Sequence, residues 1–222
     1  GAVLLMPDHT RPDYVFSEVI RDQAKLSAWV LPAIERIQIA AKVSLRDVDA
    51  VAFGAGPGSF TGVRTACATA QALAYAWGKP LIAIDSLEAL AEASNASRVS
   101  IVLDARMNEI FSASFERRAD GELMRLSATS VGKADSFRPL DTALLLGSGA
   151  HLVGPSGAAN FRLAGADETA AVEGQWAHGV ARVAARKLAR GETVSAANAE
   201  PIYVRNNVAL TEAERAARAL VR

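Results

Sequence analysis

A mixed-sheet α/β fold built from two related halves follows from three observations on the 222-residue chain. Strand-like apolar runs alternate with helix-period runs along its length, the pattern of strands covered by helices. Residues 81–84 are apolar at every position, as a strand buried on both faces requires. A small, polar break at residues 94–97 precedes a strand hairpin that opens a second run on a similar plan. The expected domains are therefore 1–96 and 97–222, related in plan though not by visible sequence repetition.

The elements follow in order. Residues 2–6 are an apolar run ended by Pro7 and Asp8, and they predict a strand. Residues 9–13 read as a turn, and the loose alternation of 14–20 predicts a second strand. Leu26, Trp29, Val30, Ala33 and Ile37 recur at helical spacing, predicting a helix over 25–41. Pro32 removes one of its backbone donors and should bend it. Ser44 and Asp47 mark a turn, and 48–53 is a strand. Four glycines (54, 56, 58 and 62) lead into a helix over 61–77 with no charged residue between Arg64 and Lys79. Gly78 and Pro80 stop that helix, and Ser86 is expected to cap the next, over 87–92. In the second half, 99–104 and 110–115 predict a hairpin closed by Ala-Arg-Met-Asn. Residues 123–127 predict a third strand after the Asp120-Gly121 turn, and 142–146 a fourth that runs into Gly-Ser-Gly-Ala. Val180, Val183, Ala184 and Leu188 give a helix over 176–188 its apolar side, with Arg182, Arg186 and Lys187 elsewhere. A tail with a polar terminal helix follows Gly191.

Composition excludes several classes. Half the residues are apolar and 22% are charged, enough apolar material for a real core. The 24 basic residues balance the 24 acidic ones. A protein that grips nucleic acid by its own field carries a basic excess, so strong direct tRNA or DNA binding does not fit. The single cysteine, Cys67, has no internal disulfide partner and sits in the apolar helix, where it reads as a small buried thiol. No apolar run approaches the roughly 20 residues of a membrane span, and residues 1–6 are too short for the apolar region of a signal peptide. A cytoplasmic protein is expected.

The glycine loop leaves two readings open. Gly54, Gly56 and Gly58 can supply positive φ and bare amides, while Ser59 or Thr61 can cap the helix or touch a phosphate. The alternative is a tight strand-to-helix crossover, with Gly62 in its first turn. It is not a Walker A loop, because Val63 and Arg64 follow Gly62, and it lacks the third glycine of a dinucleotide fingerprint. Ser59 stands in Gly-Ser-Phe-Thr-Gly, one position out of a nucleophile elbow. The chain's three histidines, His9, His151 and His178, form no base or metal pair by spacing, and His178 reads as a surface residue. Asp104, Arg106 and Glu109 can polarise a ligand or simply stabilise the hairpin turn.

The charge-free helix points outward as well as inward. Val63, Ala66, Cys67, Ala70, Leu73, Ala74 and Trp77 form its sheet-facing stripe. The opposite face is Thr65, Ala68, Thr69, Ala72, Tyr75 and Ala76, where a monomer would usually place Lys, Glu or Arg. Small residues with one tyrosine allow close helix approach, so a protein–protein interface is expected, shared with Ala28 and Leu31 of the preceding helix. A second layer of the same chain covering that face is the alternative.

Four motifs carry a family resemblance: Gly-Ala-Gly-Pro-Gly-Ser-Phe-Thr-Gly-Val-Arg (54–64), and the segments 84–92, 103–111 and 199–207. In this order they resemble the bacterial TsaB family, which takes part in threonylcarbamoyladenosine (t6A) synthesis on tRNA. The resemblance implies two lobes of the actin/Hsp70-like ATPase (ASKHA) superfold. It implies a non-catalytic paralogue of TsaD that pairs with a TsaD-like catalytic subunit, is joined by a TsaE-like ATPase, and reaches tRNA through that complex. Family pairing through the first two long helices would place the contact on 25–41 and 61–77, with a homodimer when TsaD is missing. The family pattern opens with a strand ending in an acidic turn; here 2–6 matches its second strand, so the N-terminal lobe is expected to lack the first strand and any nucleotide contact from that turn. No cofactor is then expected, ATP or ADP being the one nucleotide the superfold would take. The alternatives are an ATP-dependent phosphotransferase of the same superfold and, more remotely, a peptidase, as the older glycoprotease label has it.

Overall fold

The structure is a computed structural model describing residues 2–6, 15–20, 26–154 and 160–205. The expected turn at 9–13, Lys25, Asn206, Asn207 and the terminal helix lie outside these residues.

The first half contains two strand pairs. Strand β1 (Ala2–Leu5) runs antiparallel to β2 (Phe16–Val19), with Ala2 opposite Val19. Helix α1 (Leu26–Ala41) follows and buries Ala33, Ile34 and Ile37 while leaving Ala28, Leu31 and Ile39 exposed. Strand β3 (Val51–Gly56), helix α2 (Phe60–Trp77) and strand β4 (Leu81–Asp85) form a βαβ unit with the strands parallel. Among the described residues no ladder joins β1–β2 to β3–β4. The inner side of α2 places Cys67, Ala70 and Ala74 against Phe53, Ala55, Leu81 and Ala199. Gly78 ends α2 in the left-handed conformation (φ 64°), and its N–H bonds back to the last turn.

The second half holds a six-stranded mixed sheet. Strands β5 (Arg98–Arg106) and β6 (Glu109–Arg117) form the expected hairpin, and β7 (Leu123–Arg125) and β8 (Ser130–Lys133) both pair with β6. On the other side β9 (Leu144–Leu146) runs parallel to β5, and β10 (Arg162–Leu163) parallel to β9. Helices α3 (Ser86–Ser94), α4 (Ala166–Gly174) and α5 (Trp176–Ala189) complete the chain. β8, β10 and α4 have no counterpart among the expected elements. The strand expected over 142–146 starts only at Leu144, since Thr142 is left-handed (φ 59°) and cannot extend the ladder. The strand expected over 123–127 stops at Arg125.

Helix α3 is the wall between the halves. Leu87, Leu90 and Ala91 pack with Val99, Ile101, Ala113, Phe115 and Leu146 of the second sheet. Ala89, on its other side, joins Ile82, Ile84, Val183 and Ala184. Its cap is Asp85 and not Ser86: the Asp85 carboxylate accepts from the N–H groups of Leu87 (2.7 Å) and Glu88 (3.3 Å). Strand β4 runs straight into α3, so its last residue is already the cap. The second Asp85 oxygen accepts from the Thr129 hydroxyl and lies 3.3 Å from Arg125.

A buried charge cluster fixes α3 further. Glu92 is 3% exposed and takes two hydrogen bonds from Arg186 (2.9 and 3.2 Å) and one from Arg117 (3.3 Å), with Arg182 4.0 Å away. Burial pushes the Glu92 carboxyl up, but the hydrogen-bonded guanidinium of Arg186, with Arg117, outweighs it and holds the group below its ordinary value.

Candidate functional site

The glycine loop is a crossover whose underside is already filled. Of the three glycines expected to supply positive φ, only Gly56 does (φ 106°); Gly54 and Gly58 do not. A Cβ on Gly56 would stand 3.2 Å from the Ile202 carbonyl oxygen, and the adjoining Gly56–Pro57 peptide is cis. Gly54 leaves room for the Trp176 ring, which comes within 3.1 Å of where its Cβ would be. Ser59 caps α2, its hydroxyl accepting from Gly62 N–H at 3.5 Å. Gly58, Ser59 and Thr61 are exposed above the loop. The Asp104–Glu109 turn resolves as a turn: the Asp104 carboxylate accepts from Arg106 N–H (2.7 Å) and pairs with its guanidinium (3.3 Å), while Glu109 pairs with Arg205. Arg106, Met107 and Asn108 are all left-handed. His178, expected at the surface, is half-buried on α5.

Helix α2 shows two unlike sides. Ala68, Ala72, Tyr75 and Ala76 are exposed, Tyr75 at 84%, while Thr65 and Thr69 are half-buried. Ala28 and Leu31 are exposed on α1. Cys67 is buried, and that burial, followed by the Glu200 charge, pushes its thiol up and away from reactivity.

The tail holds the flank of α2 and extends past it. The Gln71 side-chain amide donates to the carbonyls of Ala196 (3.0 Å) and Ala199 (3.1 Å). Ile202 N–H donates to Ala55 O at 2.8 Å, and Arg205 reaches Ala105 O (3.2 Å) beside its pairing with Glu109. Between them, Tyr203 meets Arg64. Arg64 Nε donates to the Tyr203 hydroxyl (3.1 Å), and its guanidinium carbon lies 3.5 Å from the Phe60 ring centre and 5.8 Å from that of Tyr203. In the sequence Arg64 stands at the end of a charge-free stretch and closes the 54–64 motif, and neither position indicates its partners. The available signal was Phe60 at i−4, one helical turn away.

Among the described residues no group of three His, Cys, Asp or Glu side chains is placed to hold a metal. No described helix is long and apolar enough to cross a membrane. What the surface offers is an apolar helix face with one guanidinium at its end.

Comparison with known proteins assigns the class first. A family model described as "TsaD: tRNA N6-adenosine threonylcarbamoyltransferase" matches residues 17–137, so the chain carries a TsaD-related domain. It is 32% identical over 189 residues to the tRNA threonylcarbamoyladenosine biosynthesis protein TsaB of Escherichia coli, covering 81% of this chain and 80% of that protein. It is 34% identical over 193 residues to the protein of the same name from Haemophilus influenzae, with 81% and 79% covered. The solved structure of YeaZ from Pseudomonas aeruginosa superposes with a TM-score of 0.69 at 29% identity, covering 91% of this chain and 93% of that one. The chain belongs to the TsaB family.

Proposed function

We propose that this chain is a non-catalytic scaffold and activating subunit for t6A modification of tRNA in the cytoplasm. It docks on a TsaD-like catalytic subunit through the α1–α2 face, with a TsaE-like ATPase joining the pair and tRNA reached through the complex. The observation that carries this reading is the outer stripe of α2, where Ala68, Ala72, Tyr75 and Ala76 stand exposed with no charge among them. Alanines let a partner helix come close, and Tyr75 supplies an aromatic anchor of the kind that concentrates binding energy. Family membership supplies the class of partner. The same stripe pairs two copies when that partner is missing.

Size-exclusion chromatography with light scattering tests the reading. The chain alone should run as a dimer, and equimolar TsaD-like subunit should convert it to a heteromeric species. Ala68→Glu with Ala72→Glu should reduce both associations by at least about a hundredfold, since two carboxylates would have to be desolvated in an apolar contact and the one at 68 would draw Arg64 to itself, while the circular dichroism spectrum stays unchanged. Undiminished association by the double variant would overturn the assigned face. A strictly monomeric wild-type chain that ignores the TsaD-like subunit would overturn the function.

A further inference from the structure

We propose that Arg64, held by Phe60 and Tyr203, is the charged anchor of the α2 face and takes a carboxylate of the TsaD-like partner. This rests on the reading of α2 as the docking face and adds to it the chemistry of one contact.

Arg64 is the one charged residue of α2. It lies on the exposed stripe, one turn from Ala68 and one from Phe60, so it continues the proposed interface toward the helix N-terminus. Its guanidinium is already oriented. Phe60 packs against it with its ring centre 3.5 Å away, the Tyr203 ring centre lies 5.8 Å away, and the Tyr203 hydroxyl takes the Nε hydrogen. The rings and the phenol are drawn from two separated parts of the chain, α2 and the tail. Among the described residues no carboxylate pairs with Arg64. Twelve other described arginines and lysines each pair with a carboxylate, among them Arg36, Arg162 and Arg190, which are exposed as Arg64 is.

A guanidinium whose plane is held in advance loses little freedom on binding, and its outer N–H fork matches a carboxylate in geometry and sign. Phe60 and Tyr203 are 58% and 55% exposed and would be covered by the same docking event, giving the aromatic and arginine composition of an interface hot spot. A second copy of α2 offers no carboxylate of its own, because that helix carries no acid. An acidic residue on the partner is therefore a contact that α2-to-α2 pairing lacks.

The test is the affinity of the purified TsaD-like subunit for the wild type, Arg64→Gln, Arg64→Lys and Tyr203→Phe, measured calorimetrically at low and high salt. Arg64→Gln should weaken binding by roughly ten- to a hundredfold and reduce the salt dependence. Arg64→Lys should restore it only in part, since the planar fork is gone, and Tyr203→Phe should cost severalfold by freeing Nε. Unchanged affinity in Arg64→Gln, with binding still abolished by Ala68→Glu and Ala72→Glu, overturns the Arg64 contact and leaves the docking face standing. Unchanged binding in both removes the face as well. A tRNA anticodon stem-loop that binds the chain alone and is lost in Arg64→Gln, with partner affinity intact, would reassign Arg64 to RNA and overturn the proposal.

Discussion

Gly179→Ala should destabilise the fold by about 3 kcal/mol or more. At this position α5 crosses α3 so closely that an added Cβ would stand 2.0 Å from the Ala89 carbonyl oxygen and 2.9 Å from its carbon. Both atoms are backbone inside a helix, so relief requires the two helices to part. Parting them would open the packing of Ala89 against Val183 and Ala184. Helix propensity works the other way, alanine being favoured over glycine by about 1 kcal/mol, and the clash outweighs it. Gly174→Ala is the internal control: nothing lies within 4 Å of its Cβ position, so the change should be near neutral. Urea denaturation of both variants checks the pair, and equal midpoints would show that the α3–α5 crossing is looser than described.

The second large effect is at Glu92. Glu92→Gln removes the one carboxylate facing Arg117, Arg182 and Arg186, leaving three guanidinium groups close together with their charges uncompensated. Breaking a buried pair from one side costs about 3–5 kcal/mol; partial exposure of the arginines puts the expectation near the lower end. The pH dependence follows from the direction of the shift. The folded carboxyl titrates below its ordinary value of 4.5, so its contribution is complete above about pH 4.5 and is lost as the pH falls through the lowered folded value. The stability gap between wild type and Glu92→Gln should therefore be constant near neutrality and narrow in that acidic window. Thermal melts across pH 3–7 measure it, and a gap independent of pH would show that the loss is one of packing.

Much of the fold was legible because its signals are local. The apolar run at 81–84, the Gly78-Pro80 stop and the apolar side of α5 each reside within a few residues, and each element appears where expected. α4 gave no such signal: Ala166, Ala170, Ala171 and Val172 make no stripe, and none of its residues is buried. β8 has one apolar residue, Val131, and exists because β6 offers it a ladder. The charge cluster was invisible for a different reason. Arg186 lies 94 positions from Glu92 and Arg117 lies 25 away, so arginines that local spacing only sets apart from the apolar side of α5, and one on β6, are the partners of a buried acid. The Arg64 stack is similar, since its second ring arrives from 139 positions further along the chain. Local spacing placed Ala68, Ala72, Tyr75 and Ala76 on the exposed side of α2, but not the half-burial of Thr65 and Thr69 or the tail segment that borders the helix.

Helix α3 gives the chain its thermodynamic unity. Its side chains belong at once to the second sheet, through Leu87, Leu90 and Ala91, and to the β4–α5 layer, through Ala89. Neither half can expose its interior without pulling the other's apart, so heating should melt the whole in one cooperative step with a single heat-absorption peak. A partner gripping α2 would then protect backbone amides as far away as β5 and β6 from hydrogen exchange, because they open only when everything opens.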